Sequence, residues 1–187
     1  MRAYRAKDMA DSKADLLAGA GGLVTDEAQS DHQGRKALLL VRNNEDCDEF
    51  IALAKTMGIN IVDRVDQRGR SDAKWFLGQG KLQDVNEELR STSHGHPWND
   101  VDLLLLHTNA TPRQLVGVND AVGIEVWDRV RLLLALFTAH ASSVEARTQV
   151  RIARLQSDRT VLREVVKQQT TGERAGYGGA GQTLSLI

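Results

Sequence analysis

Two glycines and a lysine stand at the start of an amphipathic segment and could together bind an anion. They are Gly78, Gly80 and Lys81, within the string KWFLGQGKLQDV. At a helix N-terminus such a turn offers unpaired backbone amides, the positive end of the helix dipole and a cation, which are the parts of a phosphate or purine-nucleotide site. The same residues can instead form a tight turn that lets a helix pack on a sheet, and we favour this packing role.

A second glycine cluster surrounds Tyr177 near the end of the sequence, in TTGERAGYGGAGQTLSLI. A nucleoside triphosphatase loop requires GxxxxGK[ST] between a strand and a helix, and this cluster has neither the lysine nor a preceding strand. A dinucleotide-binding fingerprint is excluded because no strand-helix-strand unit follows the glycines. We therefore do not predict a phosphate site in this cluster.

The remaining reactive residues do not combine into a catalytic or metal site. His140 precedes Ser142 and Ser143 without an acidic third residue, and His94 and His96 lack further ligands. The single cysteine excludes an intrachain disulfide and a cysteine-cluster metal site. We expect no catalytic residue, no metal and no cofactor in this chain.

Composition places the chain among ordinary globular proteins. It has 187 residues, a formal net charge of -1 and 41% hydrophobic residues, which does not indicate a wholly basic nucleic-acid binder. No apolar run reaches the roughly eighteen residues of a membrane span, and the N-terminus lacks the apolar core of a secretory signal. We expect a soluble cytoplasmic protein without membrane contact.

Short apolar runs alternate with helical patterns between residues 35 and 127. The runs KALLLVR, INIVDRVDQ, VDLLLLHTN and IEVWD are typical of strands, and Thr111 with Pro112 marks a helix start. This alternation predicts an α/β fold with a small, mainly parallel sheet and flanking helices. Residues 1–34 lack periodicity, and we predict that they form a flexible N-terminal arm.

Residues 128–170 show the pattern of one continuous helix. Apolar or small residues recur at three-to-four spacing from Val130 to Val166, without glycine or proline. We predict one long, basic, amphipathic C-terminal helix, which is half of a helical hairpin, followed by a glycine-rich mobile tail at 171–187. The apolar stripe of such a helix requires a cover.

Basic residues run along this helix towards the glycine cluster. They are Arg147, Arg151, Arg154, Arg159, Arg163 and Lys167. Charge alone leaves two interpretations open, a solvated helix surface or a contact with RNA, and it favours the first.

Several strings together resemble the N-terminal domain of the HflX family of ribosome-associated GTPases. DAKWFLGQGKLQDV is similar to the family segment F-x-G-x-GK-[VL]-x-[ED], and ASSVEARTQV is similar to its A-x-x-x-E-A-[KR]-x-Q-V helix. Between them, NATPRQLVGVNDAVGIEVWDRVR resembles the family's proline-started helix and V-x-DR turn. GERAGYGGAGQ resembles its glycine-rich tip, in the archaeal form.

This resemblance implies a small α/β subdomain followed by two long antiparallel helices joined by a glycine-rich loop. In the family this domain docks on the large ribosomal subunit, its loop reaches ribosomal RNA, and a GTPase domain follows. Contact of this chain with ribosomal RNA is therefore expected. The residues expected to make that contact are Arg151, Arg154, Arg163, Lys167, Arg174, Tyr177, Gly178 and Gly179.

The sequence departs from the family where the second long helix should begin. It ends at Ile187 and contains none of the family's GTP-binding motifs. We expect a ribosome-binding module without its own GTPase centre, with GTP and Mg²⁺ belonging only to the missing G domain. The alternatives are purine-nucleotide binding by the GxGK turn and a truncated gene product. The stripe on residues 130–166 is expected to pair with a second copy, as a homodimer, or with a separately encoded G-domain protein.

Overall fold

The computed structural model describes residues 32–92 and 95–177. Its elements, in chain order, are β1 (Lys36–Arg42), α1 (Asp48–Thr56), β2 (Asn60–Gln67), α2 (Gln79–Ser91), β3 (Val101–Leu106), α3 (Pro112–Val122), β4 (Glu125–Trp127), α4 (Arg129–His140) and α5 (Val144–Tyr177). The four strands and the three helices between them lie where the apolar pattern of the sequence predicts them.

The four strands form one parallel sheet with the spatial order β2, β1, β3, β4. Each connection between successive strands contains a helix, as parallel pairing requires. Because helices cover both faces of such a sheet, its central strands are apolar on both sides, and the runs 38–41 and 103–106 are entirely buried. The predicted α/β fold with a small parallel sheet and flanking helices is confirmed.

Alternate strand residues contribute to two apolar cores, one on each face of the sheet. The first core contains Phe50 of α1, Trp127 of β4 and Leu132 of α4. The second contains Leu82 of α2 and Val161 of α5, together with residues of α3. The sheet is therefore the middle of three layers, with α1 and α4 on one side and α2, α3 and part of α5 on the other.

α3 is fixed at its N-terminus by reciprocal capping bonds. The Thr111 hydroxyl accepts a hydrogen bond from the Gln114 backbone N–H at 3.2 Å, and the Gln114 side chain accepts one from the Thr111 N–H at 3.0 Å. The Gln114 amide also donates to the Ser71 hydroxyl at 3.0 Å and to the Asp72 carbonyl oxygen at 2.7 Å. These bonds hold the segment that precedes α2 against α3.

The segment predicted to be one helix over residues 128–170 is two helices. A long C-terminal helix is present as predicted, but α4 ends at His140 and α5 begins only at Val144. The Ser143 hydroxyl accepts a hydrogen bond from the Ala146 N–H at 3.0 Å, as an N-cap serine does. The single-helix prediction missed this break because neither glycine nor proline marks it.

α4 and α5 fold back on each other as an antiparallel hairpin. Arg131 Nη2 of α4 lies 3.4 Å from Asp158 Oδ1 of α5. Further along α4, the Thr138 hydroxyl accepts a hydrogen bond from Arg154 Nη1 of α5 at 3.3 Å. From Arg131 to Thr138 along α4, the contacted residues of α5 therefore run in the opposite direction, from Asp158 to Arg154.

Because α4 and α5 fold back on each other, much of the apolar stripe that was expected to pack against another molecule is buried within the chain itself. α5 buries Val161 and Val165 in the core that contains α3, and α4 buries Leu132 in the opposite core. Each such burial contributes about 1.5 to 3 kcal/mol. Part of the stripe on residues 130–166 is therefore buried within the chain, and its expected pairing with a second copy or a G-domain protein stays a prediction. The large apolar side chains still exposed on it are Val130, Phe137, Val144, Ile152, Leu155 and Val166.

α5 continues past the predicted end at residue 170 and reaches Tyr177. The hydroxyls of Thr170 and Thr171 each donate to a carbonyl oxygen one turn earlier, at 3.1 and 2.8 Å, so their polar groups are satisfied within the helix. The predicted glycine-rich tail at 171–187 therefore starts with a helical segment. Its last ten residues, 178–187, lie outside the described part of the chain.

The predicted N-terminal arm at residues 1–34 is described only from His32 onward. The His32 ring packs edge-on against Trp127, with 4.8 Å between ring centroids, and the Gly34 N–H donates to the Gly58 carbonyl oxygen at 2.9 Å. The last three residues of the predicted arm thus belong to the folded domain.

Gly117 of α3 lies where the backbone of Lys74 approaches the helix, and a Cβ atom there would overlap the Lys74 carbonyl oxygen. We predict that Gly117→Ala lowers the free energy of unfolding by about 2 kcal/mol or more, measured by urea unfolding, because backbone must move. Gly80→Ala is the control, since no atom lies within 4 Å of its Cβ position. It should be neutral or stabilising by up to about 1 kcal/mol. Equal effects of the two substitutions would contradict the close approach.

Candidate nucleic-acid interface

A row of three basic side chains runs along one exposed face of α5. Arg159, Arg163 and Lys167 are spaced by four residues, so they lie on the same side of the helix, about 6 Å apart along its axis. All three are exposed, whereas Val161 and Val165 on the opposite side are buried. The packing of α5 therefore turns this basic row towards solvent.

The other residues predicted to contact RNA are placed less uniformly. Arg151 is exposed two turns before the basic row, about 80° around the helix from Arg159. Arg174 and Tyr177 have helical backbone in the last turns of α5, and their side chains are not described. Gly178 and Gly179 lie outside the described residues, so their expected contact with RNA stays a prediction.

Arg154 lies in the contact between α4 and α5 and not in the basic row. Its guanidinium donates to the Thr138 hydroxyl, and the side chain is half-buried. Burial lowers the pKa of Arg154, and the nearby Asp158 carboxylate acts against that decrease. An arginine in this position helps to hold the helix pair together, and its expected contact with RNA stays a prediction.

Asp158 is the acidic residue inside the same contact. Its carboxylate lies 3.4 Å from the Arg131 guanidinium. Burial raises the pKa of Asp158, although Arg131 and Arg154 both favour its charged form. The negative charge of this side chain is therefore less favourable in the folded helix pair than in the unfolded chain.

The predicted nucleotide-binding turn forms the N-terminus of α2. Gly78 is the N-cap, and its N–H donates to Gln67 Oε1 at 2.6 Å. A Cβ atom at Gly78 would lie 3.0 Å from Gln67 Nε2, which is a tight contact, whereas the Cβ position of Gly80 is open. The packing role thus explains a glycine at position 78 and leaves Gly80 unexplained. Lys81 follows in the first turn and is half-buried.

Arg42 is a residue of this region that the sequence pattern did not single out. It ends β1, is only 6% exposed, and its Nη1 donates to Gln67 Oε1 at 3.1 Å. Its Nε has no hydrogen-bond partner, and it forms no salt bridge with the carboxylates that the structure describes. The available signal was a positive charge at the carboxyl end of a strand whose five central residues are apolar.

Two other reactive side chains have structural surroundings. Burial raises the pKa of the Cys47 thiol, which disfavours a nucleophilic thiolate. His96 Nδ1 accepts a hydrogen bond from the Trp98 N–H at 3.1 Å, and His94 lies outside the described residues. Within residues 32–92 and 95–177, no three potential metal ligands converge. In the same ranges, no helix has the length and apolar character needed to cross a membrane.

Comparison with known proteins connects this chain to one family. The model of the family described as GTP-binding GTPase N-terminal matches residues 44–138. GTPase HflX from Hyperthermus butylicus is 31% identical over 133 residues, which cover 71% of this chain and 34% of that protein. GTPase HflX from Thermococcus kodakarensis is 28% identical over 134 residues, which cover 72% of this chain and 29% of that protein.

A solved structure shows the same fold. It is that of a GTP-binding protein from the hyperthermophilic archaeon Sulfolobus solfataricus in complex with GDP, with a TM-score of 0.56 and 23% identity over 76% of this chain and 43% of that chain. The chain belongs to the GTP-binding GTPase N-terminal family, and the resemblance to HflX indicated by its motifs is confirmed. It spans about a third of the length of the HflX relatives that it matches.

The raised pKa of Asp158 predicts how the stability of the helix pair depends on pH. Folded Asp158 holds its proton more tightly than the unfolded chain, where the Asp pKa is 3.8. Its contribution to stability is therefore present at low pH and decreases as the pH rises above about 4. Asp158→Asn removes this titration. We predict that the free energy of unfolding of the wild type, relative to that of Asp158→Asn, falls as the pH rises above about 4.

Urea unfolding at several pH values measures this difference. Gln156→Asn is the control, because it exchanges one neutral amide for another at an exposed position of the same helix. The difference between this control and the wild type should not change with pH. A relative stability of the wild type that rises with pH would contradict the raised pKa of Asp158.

Proposed function

We propose that this chain binds the large ribosomal subunit, and that the basic row on α5 contacts ribosomal RNA. The observation that carries the proposal is the exposure of Arg159, Arg163 and Lys167 at one-turn spacing on a single helix face. Phosphates of nucleic acids are bound mainly by exposed lysine and arginine side chains, and no deep pocket is needed. The resemblance to the HflX family implies the same partner.

The packing of the domain supports this proposal because it fixes the orientation of the basic row. Val161 and Val165 anchor one side of α5 in the core, so the helix cannot turn its charged side inwards. A surface that is already oriented loses less conformational freedom on binding. Beyond the row, we propose that Tyr177 stacks on a base and that Gly178 and Gly179 let the backbone approach RNA closely.

We propose no GTP hydrolysis for these 187 residues. The sequence contains no GK[ST] motif, which a phosphate-binding loop of a GTPase requires. In this proposal GTP and Mg²⁺ are bound by a G domain such as that of the HflX relatives, and the present chain acts in the cytoplasm as the ribosome-binding module.

We predict that the triple variant Arg159→Gln, Arg163→Gln, Lys167→Gln binds large ribosomal subunits more weakly than the wild type. Each lost contact with a phosphate removes the favourable release of a counterion. In co-sedimentation at a series of salt concentrations, the slope of log affinity against log salt should become shallower by about 2, at about 0.7 for each of the three contacts.

A matched control removes the same charge from another part of the domain. Lys55, Arg90 and Arg113 are exposed on α1, α2 and α3, and their replacement by glutamine should leave binding close to that of the wild type. An equal loss in both triple variants would contradict the role of the basic row. A chain without residues 170–187 measures the contribution of the glycine-rich tip. Absence of salt-sensitive co-sedimentation of the wild type would contradict ribosome binding itself.

We also propose that a second copy of the chain covers the apolar side chains that stay exposed on α4 and α5. Phe137 and Leu155 lie at the same level of the hairpin, since the neighbouring residues Thr138 and Arg154 are in contact. They are 53% and 46% exposed, and Ile152, one turn before Leu155, is 45% exposed. Clustered apolar side chains of this kind are typical of association surfaces. A separately encoded G-domain protein is the alternative occupant.

We predict that Leu155→Glu converts a dimer into a monomer, because the interface would have to bury a charge without a partner. Light scattering at several protein concentrations measures the mass. Ala52→Glu, at an exposed apolar position of α1, is the control and should leave the mass unchanged. A wild type that is monomeric with a folded α5 would contradict self-association and leave the surface to the alternative partner.

A further inference from the structure

We infer that a cavity at the amino edge of the sheet binds a small organic cation that carries an apolar group. The cavity has a volume of about 640 Å³ and lies between the C-terminal ends of α2 and α3. It borders Val101, the first residue of β3, and Ile124, the residue before β4. None of the described residues of α5 lines this cavity, so the site is separate from the proposed RNA contact.

The size and the walls of the cavity are those of a small-molecule site. Clefts that bind small ligands have volumes of about 300 to 1,000 Å³ and combine apolar walls with a few polar groups. The walls here include Leu89, Val101, Ala121 and Ile124, which pack against the core between the sheet and α3 but stay partly exposed. An apolar group of a ligand would remove this remaining apolar surface from water, which favours binding.

Two helix C-termini give the cavity a negative potential. α2 ends with Thr92 as its C-cap and α3 with Gly123, and both residues line the cavity. The C-terminus of a helix carries a partial negative charge, because its last carbonyl oxygens have no partner further along the helix. The last turn of α3 contains no basic residue that would offset this charge. The backbone alone therefore favours a cation here.

The charged side chains at the cavity do not cancel this potential. Asp100 and Asp120 are among the lining residues, together with Arg90. Arg90 Nε donates to Asn86 Oδ1 at 2.9 Å. Lys36 Nζ lies 3.8 Å from Asp100 Oδ2, but both side chains are exposed, so this ion pair is weak and leaves the carboxylate open to a second cation.

The wider surface around the cavity is also acidic. α2 and residues 95–102 together contain five acidic residues against two lysine or arginine residues. A field of this sign attracts cations and repels phosphates, so a nucleotide is disfavoured here. An ammonium or guanidinium group attached to an alkyl or aryl body satisfies both the charge and the apolar walls.

Amide NMR of the isotope-labelled full chain, titrated with phenethylamine, phenethyl alcohol and hydrocinnamate, tests the inference. The three probes share a phenyl group on a short alkyl spacer and carry a cationic, a neutral and an anionic head. The amine should shift the amides of Asn86, Val101 and Gly123 in a saturable way, with a dissociation constant of about 1 mM or below. The alcohol should bind about threefold or more weakly, and the carboxylate more weakly still.

Two variants separate the contributions of charge and of apolar contact. Asp100→Asn combined with Asp120→Asn should weaken the binding of the amine by about threefold or more and leave that of the alcohol unchanged. Asparagine is compatible with the positive φ of 62° at Asp100. Ile124→Ala should weaken the binding of both probes by about threefold or more, because it removes part of an apolar wall.

A matched control removes the same charge from exposed positions of α2 that are not among the lining residues. Asp84→Asn combined with Glu87→Gln should keep the affinity of the wild type for the amine. Saturable shifts at the cavity, with the amine bound more tightly than the carboxylate, support the site. Absence of saturable shifts at these amides, equal affinity for amine and carboxylate, or an equal loss in the control pair would overturn the inference. The first two of these results do not depend on the folding of any variant.

Discussion

A parallel sheet whose strands are apolar on both faces must be covered on both faces, and the rest of the domain is arranged to meet that requirement. The runs 38–41 and 103–106 expose no side chain to water. α1, α2 and α3 cover most of this surface, and Leu132 of α4 and Val161 of α5 complete the two cores. The chain must therefore reverse between α4 and α5, because one straight helix could not reach both positions.

This reversal also decides which charges are available for binding. Once Val161 and Val165 are buried, residues about half a turn away on α5 must face solvent, and Arg159 and Arg163 are among them. The same geometry places Arg154 between the two helices, where it donates to a hydroxyl of α4. The sequence of a basic helix does not show which charged residues face solvent and which lie between helices, because this depends on which face of the helix packs against the core.

Much of the fold was predictable because strong local signals agreed with the tertiary structure. Apolar runs marked the strands, and Thr111 with Pro112 marked the start of α3 by a mechanism that the capping bonds confirm. The break between α4 and α5 was missed because Ser143 is a weak local signal, whose effect as an N-cap depends on the gain from folding α5 back. Arg42 was missed for a similar reason, since its burial depends on the tertiary packing around the end of β1.

The basic row on α5 and the buried Arg42 differ in how their charges affect the stability of the fold. An exposed arginine such as Arg163 stays hydrated, so it costs little whether or not RNA is present. Arg42 is buried beside a neutral amide, and buried ionic groups can often be replaced by apolar ones without loss of stability. Within the fold, the charge of Arg42 is offset by the hydrogen bond that its Nη1 donates to Gln67 and by the field of the Asp72 carboxylate.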